Sequence, residues 1–167
     1  MEQFIGLENL EMFGQLALAL LLGTLLGVER ELAKKKAGMR TFGLVALGSC
    51  LFSLISVNAL KFIGGAQVVG ALNFDPTRIA AQIVVGIGFL GAGIIIFDSS
   101  KLRGVTTAAG LWVAAAIGMA VGYKFYAVSI FTTILVLIVF VVLWILEEKI
   151  VTKLAYRSPD ADERFTD

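Results

Sequence analysis

Five stretches of the chain run for 17 to 22 residues without a single Asp, Glu, Lys or Arg, at about 12–28, 41–60, 79–97, 105–122 and 125–146. Each is close to the ~20 residues that carry an α-helix across ~30 Å of hydrocarbon. None alternates strictly between apolar and polar positions, which a membrane β-barrel strand would require. The pattern therefore predicts an all-α integral membrane protein, a bundle of about five transmembrane helices over 1–147, followed by a short cytoplasmic tail over 148–167. From Ser158 onward that tail is polar and charged, with no apolar face to bury, and is expected to be disordered.

Composition supports this reading by exclusion. Hydrophobic residues make up 58% of the chain and charged residues 16%, against about 45–50% and about 25% in soluble domains. There are too few polar side chains to cover a water-soluble globule. His is absent and Cys50 is the one cysteine. Ser-His-Asp triads, HExxH zinc sites, His proton relays and internal disulfides are all excluded.

The charges that remain are sorted. With an extracellular N-terminus, eleven Lys and Arg fall on the inner side, in the loop from Arg30 to Arg40, at Lys101 and Arg103, and in the tail. Three, Lys61, Arg78 and Lys124, fall outside. Positive residues favour the cytoplasmic side, so the N-terminus is predicted outside and the C-terminus in the cytoplasm. The segment before the first span is acidic (Glu2, Glu8, Glu11), unlike the basic start of a signal peptide. An odd span count disfavours two equal inverted halves.

Polar residues near the span ends are the candidate functional positions. Glu29 and Arg30 directly follow the first apolar run. Glu31 and Lys35 are spaced i, i+4, so the first helix is expected to extend a turn or two beyond it, until Gly38 breaks it before Arg40. Glu29, Arg30 and Arg40 either form one charge cluster or serve as a basic, topology-fixing hairpin that attracts anionic lipid. Asp75 and Pro76 read as N-cap and first residue of the third helix. Arg78 then either pairs with Asp75 or reaches toward headgroups. Asp75 is also the candidate ligand for a hydrated Mg²⁺, which needs only one or two carboxylates.

Within the third span Gln82 is the strongly polar residue, expected to find a partner across the bundle. Gly86, Gly88, Gly91 and Gly93 follow it, either as close-packing positions or as a bend that lines a cavity. In the fourth span Gly110, Ala114, Gly118 and Gly122 recur every four residues, and Gly23 and Gly27 do so in the first. These small-residue stripes serve close packing within the bundle or in a homodimer. Thr106 reads as a helix cap and Trp112 as core. Ser49, Ser53 and Ser56 share a face and can bond back to their own helix. The fifth span has no Gly and reads as lipid-facing, with Tyr123, Tyr126 and Trp144 as interfacial aromatics.

Five blocks in order, GVERE at 27–31, KKAGMRT at 35–41, LGSCLF at 47–52, DPTRIAAQIVVGIGFLGAG at 75–93 and GVTTAAGLWVAAAIGMAVG at 104–122, resemble the MgtC/SapB membrane-protein family over roughly 12–145. The resemblance implies a bacterial inner-membrane bundle concerned with magnesium limitation and ion homeostasis. Relatives act in stress or virulence by modulating other membrane proteins, including the ATP synthase. The family pattern maps onto Glu29, Arg30, Gly38, Arg40, Thr41, Asp75, Arg78, Gln82, Gly86, Gly88, Gly91, Gly93, Gly104, Thr106, Thr107 and Trp112. Longer relatives carry a soluble C-terminal domain, so this chain reads as a short form.

Two functions follow as expectations. One is a non-enzymatic regulator of other membrane proteins, with no cofactor beyond an unproven Mg²⁺ and with self-association as a dimer. The alternative is a small cation or solute transporter built on Asp75, Arg78, Gln82 and the Gly-rich third span. An enzyme is disfavoured because the spans hold no His, no Cys pair and no acid.

Overall fold

The computed structural model describes residues 6–62, 75, 77–98, 101–143 and 145. The predicted tail at 148–167, Pro76 and Trp144 lie outside the described residues. The elements are α1 (Leu7–Leu32), α2 (Met39–Phe62), α3 (Thr77–Ile94), β1 (Ile96–Asp98), β2 (Lys101–Arg103), α4 (Val105–Gly122) and α5 (Tyr126–Ile138). A π-helical turn over Val139–Leu143 continues α5. Helices α1 to α4 are each long and apolar enough to cross a membrane, and Tyr126–Val142 forms a shorter apolar helix. The chain is an all-α, multi-pass membrane protein.

Helices α1, α2 and α4 form the core, and glycine sets their spacing. A Cβ on Gly118 would sit 2.1 Å from the Ala46 carbonyl oxygen, and one on Gly122 2.9 Å from that of Cys50. Gly23 faces Ala46 and the Phe42 carbonyl, while Gly27 faces Met39. Matching pairs advance together along α2 and α4, so these two helices run parallel. Helix α1 runs antiparallel to both. Removing side chains at these contacts lets backbones touch, which is how helices gain dispersion energy where lipid supplies no hydrophobic drive. The stripes on α1 and α4 are thus used inside the chain.

Helix α3 is different. Only Ile87 and Gly91 are buried on it, and a Cβ on Gly91 would lie 3.6 Å from the Ala108 side chain. A Cβ on Gly86, Gly88 or Gly93 would meet nothing within 4 Å. Among the described residues these three glycines make no close packing contact, unlike Gly110, Gly118 and Gly122.

Four local expectations are corrected. The third apolar run was expected to stay helical to 97, but α3 ends at Ile94. Ile96 and Phe97 instead pair with Arg103 and Leu102 in an antiparallel hairpin, whose cross-strand bonds satisfy backbone groups in the connection. Helix α4 is entered through Gly104 at φ +92, without a side-chain cap; Thr106 is exposed. Ile94 approaches so closely that a Cβ on Gly104 would lie 2.4 Å from its carbonyl oxygen. A left-handed, crowded position suits Gly alone. Trp112 is 50% exposed rather than core. Helix α1 stops at Leu32, and Lys34 turns the chain at φ +53. Glu31 then serves α2, accepting a hydrogen bond from the Met39 N–H at 3.0 Å.

Helix α5 presents Val128, Phe131, Ile134 and Leu135 outward. Its buried Ser129 and Thr133 donate to carbonyls one turn back, at 2.8 Å each. Hydroxyls satisfied within their own helix can face the bundle without cross-helix partners. Ser53 does the same to the Ser49 carbonyl on α2, at 2.8 Å.

A candidate groove between α2 and α3

With Gly91 facing Ala108 and Ile94 facing Gly104, α3 packs chiefly on α4, leaving a sparser contact between α3 and α2. An apolar groove of about 990 Å³ opens between them. Leu44, Val45, Phe52, Ile83 and Leu90 line its walls, together with Gly48 and Gly86, which add no side chain. Helix α3 runs antiparallel to α4, hence to α2. Arg40, at the start of α2, and Arg78, at the start of α3, therefore lie at opposite ends of the groove. Gln82 lines it one turn inside Arg78.

The six candidate residues divide into three places. Arg40, Arg78 and Gln82 share the groove; all three are exposed. Among the described residues their side chains have no hydrogen-bond or ion-pair partner. Gln82 was expected to bond across the bundle, but it is exposed and lines the groove instead.

Asp75 marks the start of α3 at the mouth beside Arg78. Its Oδ1 accepts from the Thr77 N–H at 2.8 Å and the Thr77 hydroxyl at 2.7 Å. Those two bonds, with the Arg78 charge adding a smaller effect, hold its carboxyl below the usual carboxylate range. Arg78 reaches it through its backbone, the N–H donating to the Asp75 carbonyl at 3.3 Å.

Glu29 and Arg30 lie elsewhere and do not line the groove. The Arg30 Nε pairs with the Glu29 carboxylate. Arg30 is buried, and its guanidinium stacks over the Phe140 ring at 3.8 Å from the centroid. Phe140 belongs to the π-helical turn, and its ring edge fills the space above Gly110. Arg40 does not join this pair, so the cluster expected from the sequence contains two residues rather than three.

The sequence reading did not single out Gln15. It is buried in α1, and its Nε2 donates to the Val121 carbonyl at 2.8 Å and the Gly122 carbonyl at 3.2 Å. Those are carbonyls of the last turn of α4, where helical pairing runs out; the Val121 carbonyl also accepts from the Lys124 N–H at 2.9 Å. A lone amide in the first apolar run was the available signal. On the same face of the bundle Lys124 pairs with Glu11 at 2.8 Å, which raises the Lys124 pKa.

The MgtC family profile matches residues 16–149. The chain belongs to the MgtC family. It is 42% identical over 114 residues to the putative magnesium transporter YhiD of Escherichia coli K12, covering 68% of this chain and 52% of YhiD. It is 42% identical over 119 residues to protein MgtC of Salmonella typhimurium LT2, covering 71% of this chain and 46% of MgtC. Over 125 residues it is 37% identical to protein SapB of Bacillus subtilis 168, covering 74% and 53%. The chain thus spans about half the length of the curated relatives it matches. No solved structure matches it. All six candidate residues and the groove lie within the span matched by this MgtC-family profile.

Proposed function

We propose that this MgtC-family chain is a bacterial inner-membrane protein of magnesium and ion homeostasis. In this reading it acts as a non-enzymatic regulator of another membrane protein and does not carry magnesium itself. The loop from Arg30 to Arg40 faces the cytoplasm, and the chain self-associates as a dimer. The names of YhiD and MgtC supply the magnesium connection; the ATP synthase is the partner implied by resemblance.

The observation that favours regulation is the charge of the groove. Mg²⁺ binds through oxygen, usually one or two carboxylates plus retained waters. Two arginines stand at the ends of this groove, and among the described residues no carboxylate lines it. A positive potential at both mouths opposes cation entry. Asp75, the candidate ligand, already commits one oxygen to the Thr77 N–H and hydroxyl.

The test is flux. Proteoliposomes holding the full chain and a trapped magnesium indicator should match empty liposomes. Cells lacking the chain should lose growth or membrane potential at low magnesium. Magnesium uptake that disappears in Asp75→Asn or Gln82→Leu would instead establish the transporter alternative.

A further inference from the structure

We propose that the groove between α2 and α3 is a binding site for one anionic phospholipid, with an acyl chain between the helices and the phosphate on Arg40. The inference is independent of the magnesium reading and rests on shape, lining and the distribution of charge.

The shape suits an acyl chain. From Arg40 to Phe52 the groove follows three turns of α2, about 18 Å at 1.5 Å per residue. One leaflet of hydrocarbon is about 15 Å deep, half of ~30 Å. The volume, about 990 Å³, lies at the upper end of ligand-pocket sizes, about 300–1,000 Å³. Side chains along the walls are mostly apolar, Thr41, Ser49 and Gln82 being the uncharged polar ones, and Gly48 and Gly86 widen the slot where a Cβ on either would meet nothing within 4 Å among the described residues.

Charge selects the end and the headgroup. At the Arg40 end the nearby acids are already engaged, Glu29 by Arg30 and Glu31 by the Met39 N–H. Lys34, Lys35 and Lys36 in the adjoining turn are exposed and add positive charge. Arg40 itself is left for a ligand phosphate, which guanidinium groups bind well. At the other end Asp75 stands beside Arg78 and offsets its charge. A second copy of the chain fits less well, because none of the five charge-free runs carries a carboxylate to bring to Arg40.

Fluorescence quenching tests the site. Leu44 lines the groove one turn from Arg40 and is 64% exposed. A Leu44→Trp reporter, in a chain also carrying Trp112→Phe and Trp144→Phe, is reconstituted with acyl-brominated phosphatidylglycerol or phosphatidylcholine. Phosphatidylglycerol should be preferred about five-fold, the equivalent of about 1 kcal/mol for one interfacial cation. The preference should fall to about one in Arg40→Gln, survive in Arg40→Lys and survive in Arg78→Gln. With Arg40 intact, raising salt from 0.05 M to 1 M should reduce it through screening, a readout that needs no substitution at Arg40.

Equal quenching by both lipids would overturn the proposal, as would a preference that persists in Arg40→Gln. Displacement by millimolar inorganic phosphate would show a phosphate site without a lipid. Absence of quenching by either lipid, with a dimeric mass, would show a second copy in the groove.

Discussion

The guanidinium of Arg30 lies 3.8 Å above the ring of Phe140 while its Nε pairs with Glu29. The Phe140 ring in turn occupies the space above Gly110. One buried charge thereby joins the first helix, the last helix and the small-residue stripe of α4. The π-helical turn is what sets Phe140 in this position, and such turns often mark functional or strained places in helices.

Removing one partner of a buried ion pair costs about 3–5 kcal/mol, because the other charge remains buried. Glu29→Ala is expected at the low end, about 3 kcal/mol, since Glu29 retains some solvent contact. Phe140→Leu should cost less, with about 0.5–2 kcal/mol lost from the cation–π contact. Denaturation in detergent of the two single variants and the double variant would measure both, and additivity would show that the contacts are independent.

The two classes of glycine should respond in opposite ways. Gly118→Ala drives a methyl into the Ala46 carbonyl and should destabilise by at least about 1–3 kcal/mol. Gly88→Ala meets nothing within this chain and should be neutral or gain up to about 1 kcal/mol of helix propensity. Thermal stability of the purified protein distinguishes them. A loss in Gly88→Ala that depends on protein concentration would reveal an intermolecular contact at α3.

Gln15→Leu should remove the side-chain donor from the Gly122 carbonyl, while the Val121 carbonyl keeps the Lys124 N–H. Side-chain hydrogen bonds between membrane helices average about 0.6 kcal/mol and reach about 1.7. The bifurcated, buried bond of Gln15 places the expected loss toward the upper figure. Faster hydrogen exchange near Tyr123 would accompany it, since this is where α4 ends.

Asp75 offers a pH test. Its folded-state pKa is depressed, chiefly by the hydroxyl and amide of Thr77. The cap is therefore fully effective above the unfolded carboxylate value of about 3.9 and is lost as pH falls through the lower folded value. Protection of the Thr77 amide, corrected for intrinsic exchange, should persist through pH 4 and decline below it. Thr77→Ala removes the largest contribution and should move that decline to higher pH.

Much of this architecture is legible in the order of residues. Long charge-free runs determine where helices lie, because a backbone in hydrocarbon must satisfy its own hydrogen bonds. The Asp75 start of α3 was readable because capping is local chemistry, confined to neighbours in the chain. The stripe at Gly110, Gly118 and Gly122 was readable as a packing surface, since spacing of four places those residues on one helical face.

What only the tertiary structure decided is which face meets which. Spacing could not show that the α1 and α4 stripes are both used against α2, or that a Cβ on Gly86, Gly88 or Gly93 would meet nothing within 4 Å among the described residues. It could not separate Arg40 from Glu29 and Arg30, because a tight hairpin keeps all three close in the chain while the rotation of α1 turns Arg30 onto Phe140 and Arg40 lines the groove. Nor could it show Gln15 reaching α4 across 106 residues of sequence. Hydrogen-bond and packing partners distant in sequence depend on the rotation and separation of whole helices, which are set by the summed contacts of the bundle. The groove between α2 and α3 exists for that reason, in the space left where α3 packs chiefly on α4.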